Sequence, residues 1–315
     1  MSTAKTEAIA NRAAFPQHGT PPRLRRRLRP GPVLLLLPAV LLILAVLIYP
    51  IAYGLYLSLF DYVMTLSPEL TFVALANYQK LFADASFVNS IAVTARFTAI
   101  TVALEFAIGL GIALLLTLDL PARPFFRAAV LLPLMVPPLV SGLLWRLMYD
   151  HELGVLSFFV RALGGEPPVF LGDPDIALLA VSLTEVWRAT PFMVLVLLAA
   201  LQAVPSDLHE AAQIDGAGAL ARFRDVTVPL ILPVVLIALL FRTVDVLRTF
   251  DLIYLLTQGG PGATTEVLSM FIYRYGFQSF DMGLTSAASM LLFALTLIVC
   301  AVYLRMIVRR QAADR

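Results

Sequence analysis

Six apolar stretches, each long enough to cross a bilayer, constrain this chain more than any other feature. They run over residues 32–57, 90–117, 125–149, 176–202, 229–256 and 283–307. A helix rising about 1.5 Å per residue needs about 20 such residues to cross a hydrocarbon core of about 30 Å. A soluble alternative fails on composition. Hydrophobic residues make up 60% of the chain and charged residues 14%, whereas a soluble domain carries about 25% charged residues to face water. The expected class is therefore an all-α integral membrane protein. A cytoplasmic, disordered tail is expected over 1–31, a six-helix transmembrane domain over 32–307, and a cytoplasmic tail over 308–315.

The basic run Arg23, Arg25, Arg26, Arg27 and Arg29 before the first stretch resembles the start of a signal peptide. The apolar stretch is too long for one, and no polar cleavage zone follows before Pro50, so it reads as an uncleaved helix. Lys and Arg mark the cytoplasmic side of a membrane protein. The N-terminal tail, segment 118–128 (Arg123, Arg127), segment 203–228 (Arg222, Arg224) and the C-terminal end (Arg305, Arg309, Arg310, Arg315) hold most of the basic residues outside the spans. The opposite loops hold Lys80, Arg161 and Arg274. Both termini are expected in the cytoplasm.

Several function classes drop out. Cys300 is the single cysteine, which excludes an intramolecular disulfide and a cysteine-based metal cluster. His18, His151 and His209 lie far apart, without metal-ligand spacing or an H-E-x-x-H set for a membrane-embedded hydrolase. The basic cluster is short and terminal, unlike a nucleic-acid surface. No internal repeat suggests the inverted halves of a secondary transporter. Neither Lys5 nor Lys80 follows the glycine pattern of a phosphate-binding loop, which excludes a P-loop nucleotide site. Pro133, Pro137 and Pro138 in the third span and Pro191 in the fourth favour kinked helices around a pathway.

Segment 203–233 carries the most specific pattern. Asp207 is placed to N-cap a helix with Glu210 as its capping-box partner. Ala211 and Ala212 keep one face small, and Gly216 and Gly218 allow a sharp break before a second short helix leading to Pro229. The result is a helix–turn–helix presented on the cytoplasmic face. Glu210-Ala211-Ala212, Gly216, Val226, Val228 and Pro229 resemble the signature of binding-protein-dependent ABC importer permeases, E-A-A, three residues, G, nine residues, I-x-L-P. The resemblance implies a type I, MalF/MalG-like fold, with this loop as the coupling helix. Glu210, Ala211, Ala212, Asp215 and Gly216 would then touch a separate ATPase.

Further segments resemble the carbohydrate-importer branch of that family. They are Leu75-Ala76-Asn77-Tyr78, the run Glu185 to Phe192 with its W-x-x-x-P-F pattern, and Phe250 to Pro261, which follows F-D-x-I-Y-x-L-T-x-G-G-P. Leu240 to Asp245 is nearest to trehalose-type permeases. The resemblance implies a second homologous permease, two copies of an ATPase that bind ATP and Mg²⁺, an extracytoplasmic sugar-binding protein, and a bacterial inner membrane. It implies no cofactor in this chain. By alignment with maltose permeases it selects Trp187, Arg188, Ala189, Phe192, Arg242, Asp245 and Thr249 as sugar-lining.

The residues point the same way by themselves. Arg242, Asp245, Arg248 and Asp251 would together cost about 10–14 kcal/mol if all faced lipid at mid-span. At about 100° per residue, Arg242, Asp245 and Thr249 share one stripe. They can bind sugar hydroxyls, while Trp187 and Phe192 offer ring faces. Arg242 with Asp245, and Glu185 with Arg188, equally suit structural ion pairs. Arg242 also suits an anionic solute such as a glycerol phosphate, which Asp245 opposes. Glu105 has no evident partner.

Overall fold

The computed structural model describes residues 30–66, 69–119 and 121–313. The expected disordered tail, with its basic run, lies outside them up to residue 29. The chain divides into two units at Ile51. The first contains most of helix α1 (Pro30–Ser58), a leucine-rich helix that runs through Pro38 and Pro50.

The second unit holds the remaining elements. A two-stranded antiparallel ribbon pairs β1 (Phe60–Asp61) with β2 (Thr71–Phe72). Helices α2 (Ala76–Ala83) and α3 (Ala85–Thr117) follow. Next come α4 (Arg123–Leu131), α5 (Pro138–Met148), α6 (Val155–Ala162) and α7 (Ala177–Gln202). Two short helices, α8 (Ser206–Ile214) and α9 (Ala219–Arg222), lead through a π-helical turn at Phe223–Thr227 into α10 (Val228–Leu247). The chain ends with α11 (Asp251–Leu256), α12 (Leu268–Tyr273) and α13 (Met282–Ala313).

Among the described residues, five helices are long and apolar enough to cross a membrane. The third expected span, 125–149, is not one helix. Its two halves meet at 98°, because Pro133, Pro137 and Pro138 lack backbone donors and the last two hold the residues before them, Val136 and Pro137, in extended conformations. Pro191, by contrast, lies inside an unbroken α7. The span expected over 229–256 also divides. The N–H groups of Arg248 and Thr249 donate to the carbonyls of Asp245 and Val246, at 3.2 and 3.1 Å. These tighter i→i−3 bonds close α10 at Leu247. The four charges read as one helical series are therefore shared between a helix, its end and the next helix. At the C-terminus α13 continues to Ala313, beyond the boundary read from hydropathy.

The core is built on α3 against α7. Gly109 lies so close to α7 that an added Cβ would sit 2.7 Å from the Met193 Cβ. Small residues at such crossings let membrane helices approach closely. Around it, Ala113, Met193, Leu197, Ile231 and Val235 pack α3, α7 and α10 together near the α8 end. Val93, Phe97, Val181, Leu252 and Ile253 join α3 and α7 to α11 at the other. The buried face of α3 carries Ser90, Thr94, Thr98, Thr101 and Glu105 at intervals of three or four residues, a polar stripe within an apolar helix.

Asn77 explains the Leu75–Tyr78 element. Its buried side-chain amide donates to the carbonyls of Ser58 and Phe60, at 2.9 and 2.8 Å. It thereby satisfies carbonyls left open where α1 ends.

Candidate functional site

At the centre of the second unit, three helices meet through charge. The Arg242 guanidinium on α10 donates to both carboxylate oxygens of Glu105 on α3, each at 2.7 Å. It also donates to Glu185 on α7 at 2.9 Å and to Asp245 at 2.5 Å. Arg188 grips Glu185 through its Nε and Nη2, at 2.9 and 2.5 Å. Glu105, Glu185 and Arg242 are buried. A charge placed in a membrane helix is tolerated when it faces the bundle and finds a partner, and here each buried charge has one.

Glu105 is thus the partner that the sequence left unnamed. An acid amid apolar helix residues demands a base, and several arginines lie within or beside the spans. Sequence spacing could not choose among them, because the choice depends on how α3 packs against α10. The two pairings read from local spacing, Glu185 with Arg188 and Arg242 with Asp245, are both present.

Arg242 has little left to offer a ligand. Four of its five N–H groups point at protein carboxylates. Asp245 differs, since 56% of its side chain is exposed. It opens into a 690 Å³ cavity lined by Arg188, Ala189, Phe192, Phe241, Arg242 and Arg248, among others. A 280 Å³ hollow shares Arg188, Asp245 and Arg248 with it and adds Thr249, Phe250 and Asp251. Arg248 and Asp251 form no ion pair among the described residues.

Six of the expected lining residues are therefore brought together: Arg188, Ala189, Phe192, Arg242 and Asp245 around the cavity, and Thr249 in the adjoining hollow. Trp187 is elsewhere. It lines a separate 650 Å³ apolar cavity, where its ring lies 5.6 Å from that of Trp145. Five residues along a helix turn about 140°, so Trp187 and Phe192 look in different directions. Arg248, Phe241, Phe250 and Asp251 are the additional lining groups. Arg248 and Asp251 fell off the expected stripe, and the break after Leu247 brings them back to it.

At the other end of α7, α8 forms the motif surface. Its N-cap is Pro205, with no side-chain cap bond, so Asp207 sits inside the first turn and Glu210 is no capping partner. Asp207 there still complements the positive end of the helix. The C-terminus closes as a Schellman motif. The Ala217 N–H donates to the Ala212 carbonyl at 2.9 Å and the Gly216 N–H to that of Gln213 at 3.1 Å. Gly216 has φ +81°, a left-handed conformation open to glycine. Arg222 donates to Gln213 at 2.9 Å and ties α9 to α8. Glu210, Ala211, Asp215 and Gly216 are exposed and Ala212 is half-buried. Beside them Ile214 and Leu220 are 86% and 80% exposed, an apolar surface of the kind that marks a protein contact. Among the described residues, no group of three metal-ligating side chains comes together.

A bundle of membrane-length helices, a cavity with Arg188, Asp245 and Arg248 on its otherwise largely apolar wall and an exposed helix–turn–helix at one end define a multi-pass membrane permease. Residues 106–313 match the family described as binding-protein-dependent transport system inner membrane component. The chain belongs to that family, whose members are transport subunits of ABC importers in the inner membrane. It is 42% identical over 272 residues to the trehalose/maltose transport system permease protein MalF of Thermococcus litoralis, covering 86% of this chain and 92% of that one. It is 38% identical to the sulfoquinovosyl glycerol transport system permease protein SmoG of Agrobacterium fabrum, covering 87% and 89%. Identity to the trehalose transport system permease protein SugA of Mycobacterium tuberculosis is 37%, covering 87% of each. Among solved structures, a bacterial ABC transporter involved in import of the acidic polysaccharide alginate shares the fold with a TM-score of 0.74. It is 22% identical and covers 89% of this chain and 95% of that one.

Proposed function

We propose that this permease carries a neutral di- or oligosaccharide, with Asp245, Thr249 and Phe192 meeting the sugar. The carrying observation is the engagement of Arg242. A guanidinium already bound by three carboxylates cannot present its fork to a phosphate or sulfonate. The exposed Asp245 repels an anion and accepts hydrogen bonds from hydroxyls. Phe192 and Phe241 supply apolar walls. Two of the relatives named above are trehalose permeases, which supports the same class. Trp187 lies in the other cavity and is left out of this site.

The chain works with a second permease, two ATPases that hold ATP and Mg²⁺, and an extracytoplasmic binding protein, with both termini in the cytoplasm. ATP-driven closure of the ATPases draws the coupling helices together and opens the pathway outward. Hydrolysis returns it to facing inward. Glu210 and its neighbours transmit that movement, and the exposed Ile214 supplies apolar contact. In this alternating access, the buried cluster holds α3, α7 and α10 as one block.

A second reading rests on Arg248, which lines both polar spaces without a carboxylate partner and suits an anionic solute such as a glycerol phosphate. Uptake of labelled trehalose, maltose, longer glucans and glycerol phosphate, in cells with and without the gene, separates the two. Gene-dependent uptake of a neutral sugar is expected. Uptake of glycerol phosphate alone moves the assignment to the second reading.

A further inference from the structure

Two arginines stand one turn apart on α4, and their surroundings differ. The Arg123 Nε donates to the Leu116 carbonyl at 2.8 Å, satisfying one of the acceptors that the end of α3 leaves open. Arg127 lies on the same side of the helix. Its Nε is buried and meets no acceptor, and its guanidinium forms no ion pair among the described residues. Asp119, in the loop before α4, is exposed and is not paired with it. A buried N–H of a cation without an acceptor is costly, so something outside this chain is needed to receive it.

Arg127 stands on the wall of a 280 Å³ groove between α3, α4 and α7. The other polar lining group is Gln202, and the remaining wall, including Val130, Leu131, Leu195 and Leu198, is aliphatic. Gln202 is the last residue of α7, at the end that leads into α8. Leu195 lies about two turns further into the bundle on the same helix. The groove is therefore polar at its α8 end and apolar beyond. Helix α4 itself buries none of its residues, and Phe125 and Phe126 are 69% and 47% exposed on its other sides. Arginines on one side and bare rings on another suit a helix lying at a membrane interface.

We propose that this groove is a binding site for an anionic phospholipid, with the phosphate on Arg127 and Gln202 and one acyl chain along Val130, Leu131, Leu195 and Leu198. Phosphate oxygens match the guanidinium fork and supply the missing acceptor. The aliphatic wall selects the rest of the ligand. A sugar, a nucleotide or a free ion would leave that wall uncovered or set polar groups against it, whereas an acyl chain covers it. A phospholipid carries the two parts in the order in which the groove presents them, and the bilayer around the bundle supplies it. On the orientation proposed above the α8 end is cytoplasmic, the side on which basic pockets between membrane helices meet anionic headgroups.

The test uses the complete importer, delipidated in detergent and then given phosphatidylglycerol or phosphatidylcholine. Native mass spectrometry reads the lipid retained, and a thermal melt reads the stability it adds. Phosphatidylglycerol is expected to stay bound and to raise the melting temperature, as a ligand of the folded state does, and phosphatidylcholine to do neither. Arg127→Gln should lower retention of phosphatidylglycerol roughly tenfold, the size of one charge-assisted hydrogen bond, with the lipid-free melt unchanged. Arg127→Lys keeps a point charge and should retain part of it. Leu195→Trp leaves the charge and fills the groove, and should lower retention as well. Equal retention of the two lipids by the wild type, or of phosphatidylglycerol by wild type and Arg127→Gln, overturns the site. Displacement of the lipid by inorganic phosphate would make the ligand a free anion, and loss of the second permease from the Arg127→Gln complex would make Arg127 a subunit contact. Either result overturns the proposal. None of these readouts involves a transported solute, so the sugar reading stands or falls separately.

Discussion

The charge cluster and the coupling helix are both polar features of an apolar chain, and they are built on opposite terms. Glu105, Glu185 and Arg242 are buried, each carboxylate bonded to a guanidinium. Helix α8 buries none of its residues fully and holds itself together with a glycine-closed C-terminus. In the first, charge is worth what its neighbours make it worth, because inside the bundle an unmatched carboxylate has no water to turn to. In the second, water satisfies the side chains and an external surface gives them meaning. Substitutions in the cluster should therefore act on folding, and those in α8 on transport alone.

The strongest way to break that contrast is Arg242→Ala. It leaves Glu105 and Glu185 facing each other without their shared cation, and removing one partner of a buried pair costs about 3–5 kcal/mol. Loss of folded protein from the membrane, read by detergent-solubilised size exclusion and thermal melting, is expected. A wild-type melt would place the cluster outside the structural core.

Glu210→Lys tests the other side. Uptake should fall below a tenth of wild type at unchanged abundance and melting temperature. Protein loss instead would show α8 to be part of the fold rather than a docking surface.

Two finer substitutions divide the cluster itself. Glu105→Gln keeps the shape and one acceptor but loses the charge assistance, at about 2 kcal/mol, and should lower the melting temperature with uptake following abundance. Asp245→Asn, at an exposed carboxylate, should shift stability by no more than about 0.5 kcal/mol while reducing uptake per folded molecule several-fold. If both variants behave alike, Asp245 belongs to the scaffold. The smallest effect is expected from Gly216→Ala, where a left-handed residue gains a Cβ at about 1 kcal/mol. Helix α8 alone should loosen, visible as faster amide exchange there and a modest drop in uptake.

Much of this architecture is legible in the chain. The apolar stretches correspond to helices because a run of some twenty apolar residues has few other fates. The surface position of the Glu210–Gly216 segment follows from its capping and turn chemistry, although the cap fell on Pro205 rather than Asp207. Local ion pairs three residues apart were legible because a helix brings such neighbours together. The break after Leu247 was not, since no proline or glycine marks it. It follows from polar side chains reaching a cavity where irregular backbone is tolerated. Trp187 was misdirected for a similar reason. Arg188 and Ala189 line the cavity beside Asp245, whereas Val186 and Trp187 line the other one.

The sequence by itself determined the solvent, the number of apolar segments and the presence of an exposed helix–turn–helix after α7, because each depends on composition or on spacing within a few residues. Only the tertiary structure decided that Glu105 holds Arg242, a contact 137 residues apart in the chain, and that Arg242 is thereby occupied while Asp245 stays open. Such pairings depend on which helix faces lie together, and that is set by close packing at sites such as Gly109 against Met193, which no local pattern encodes.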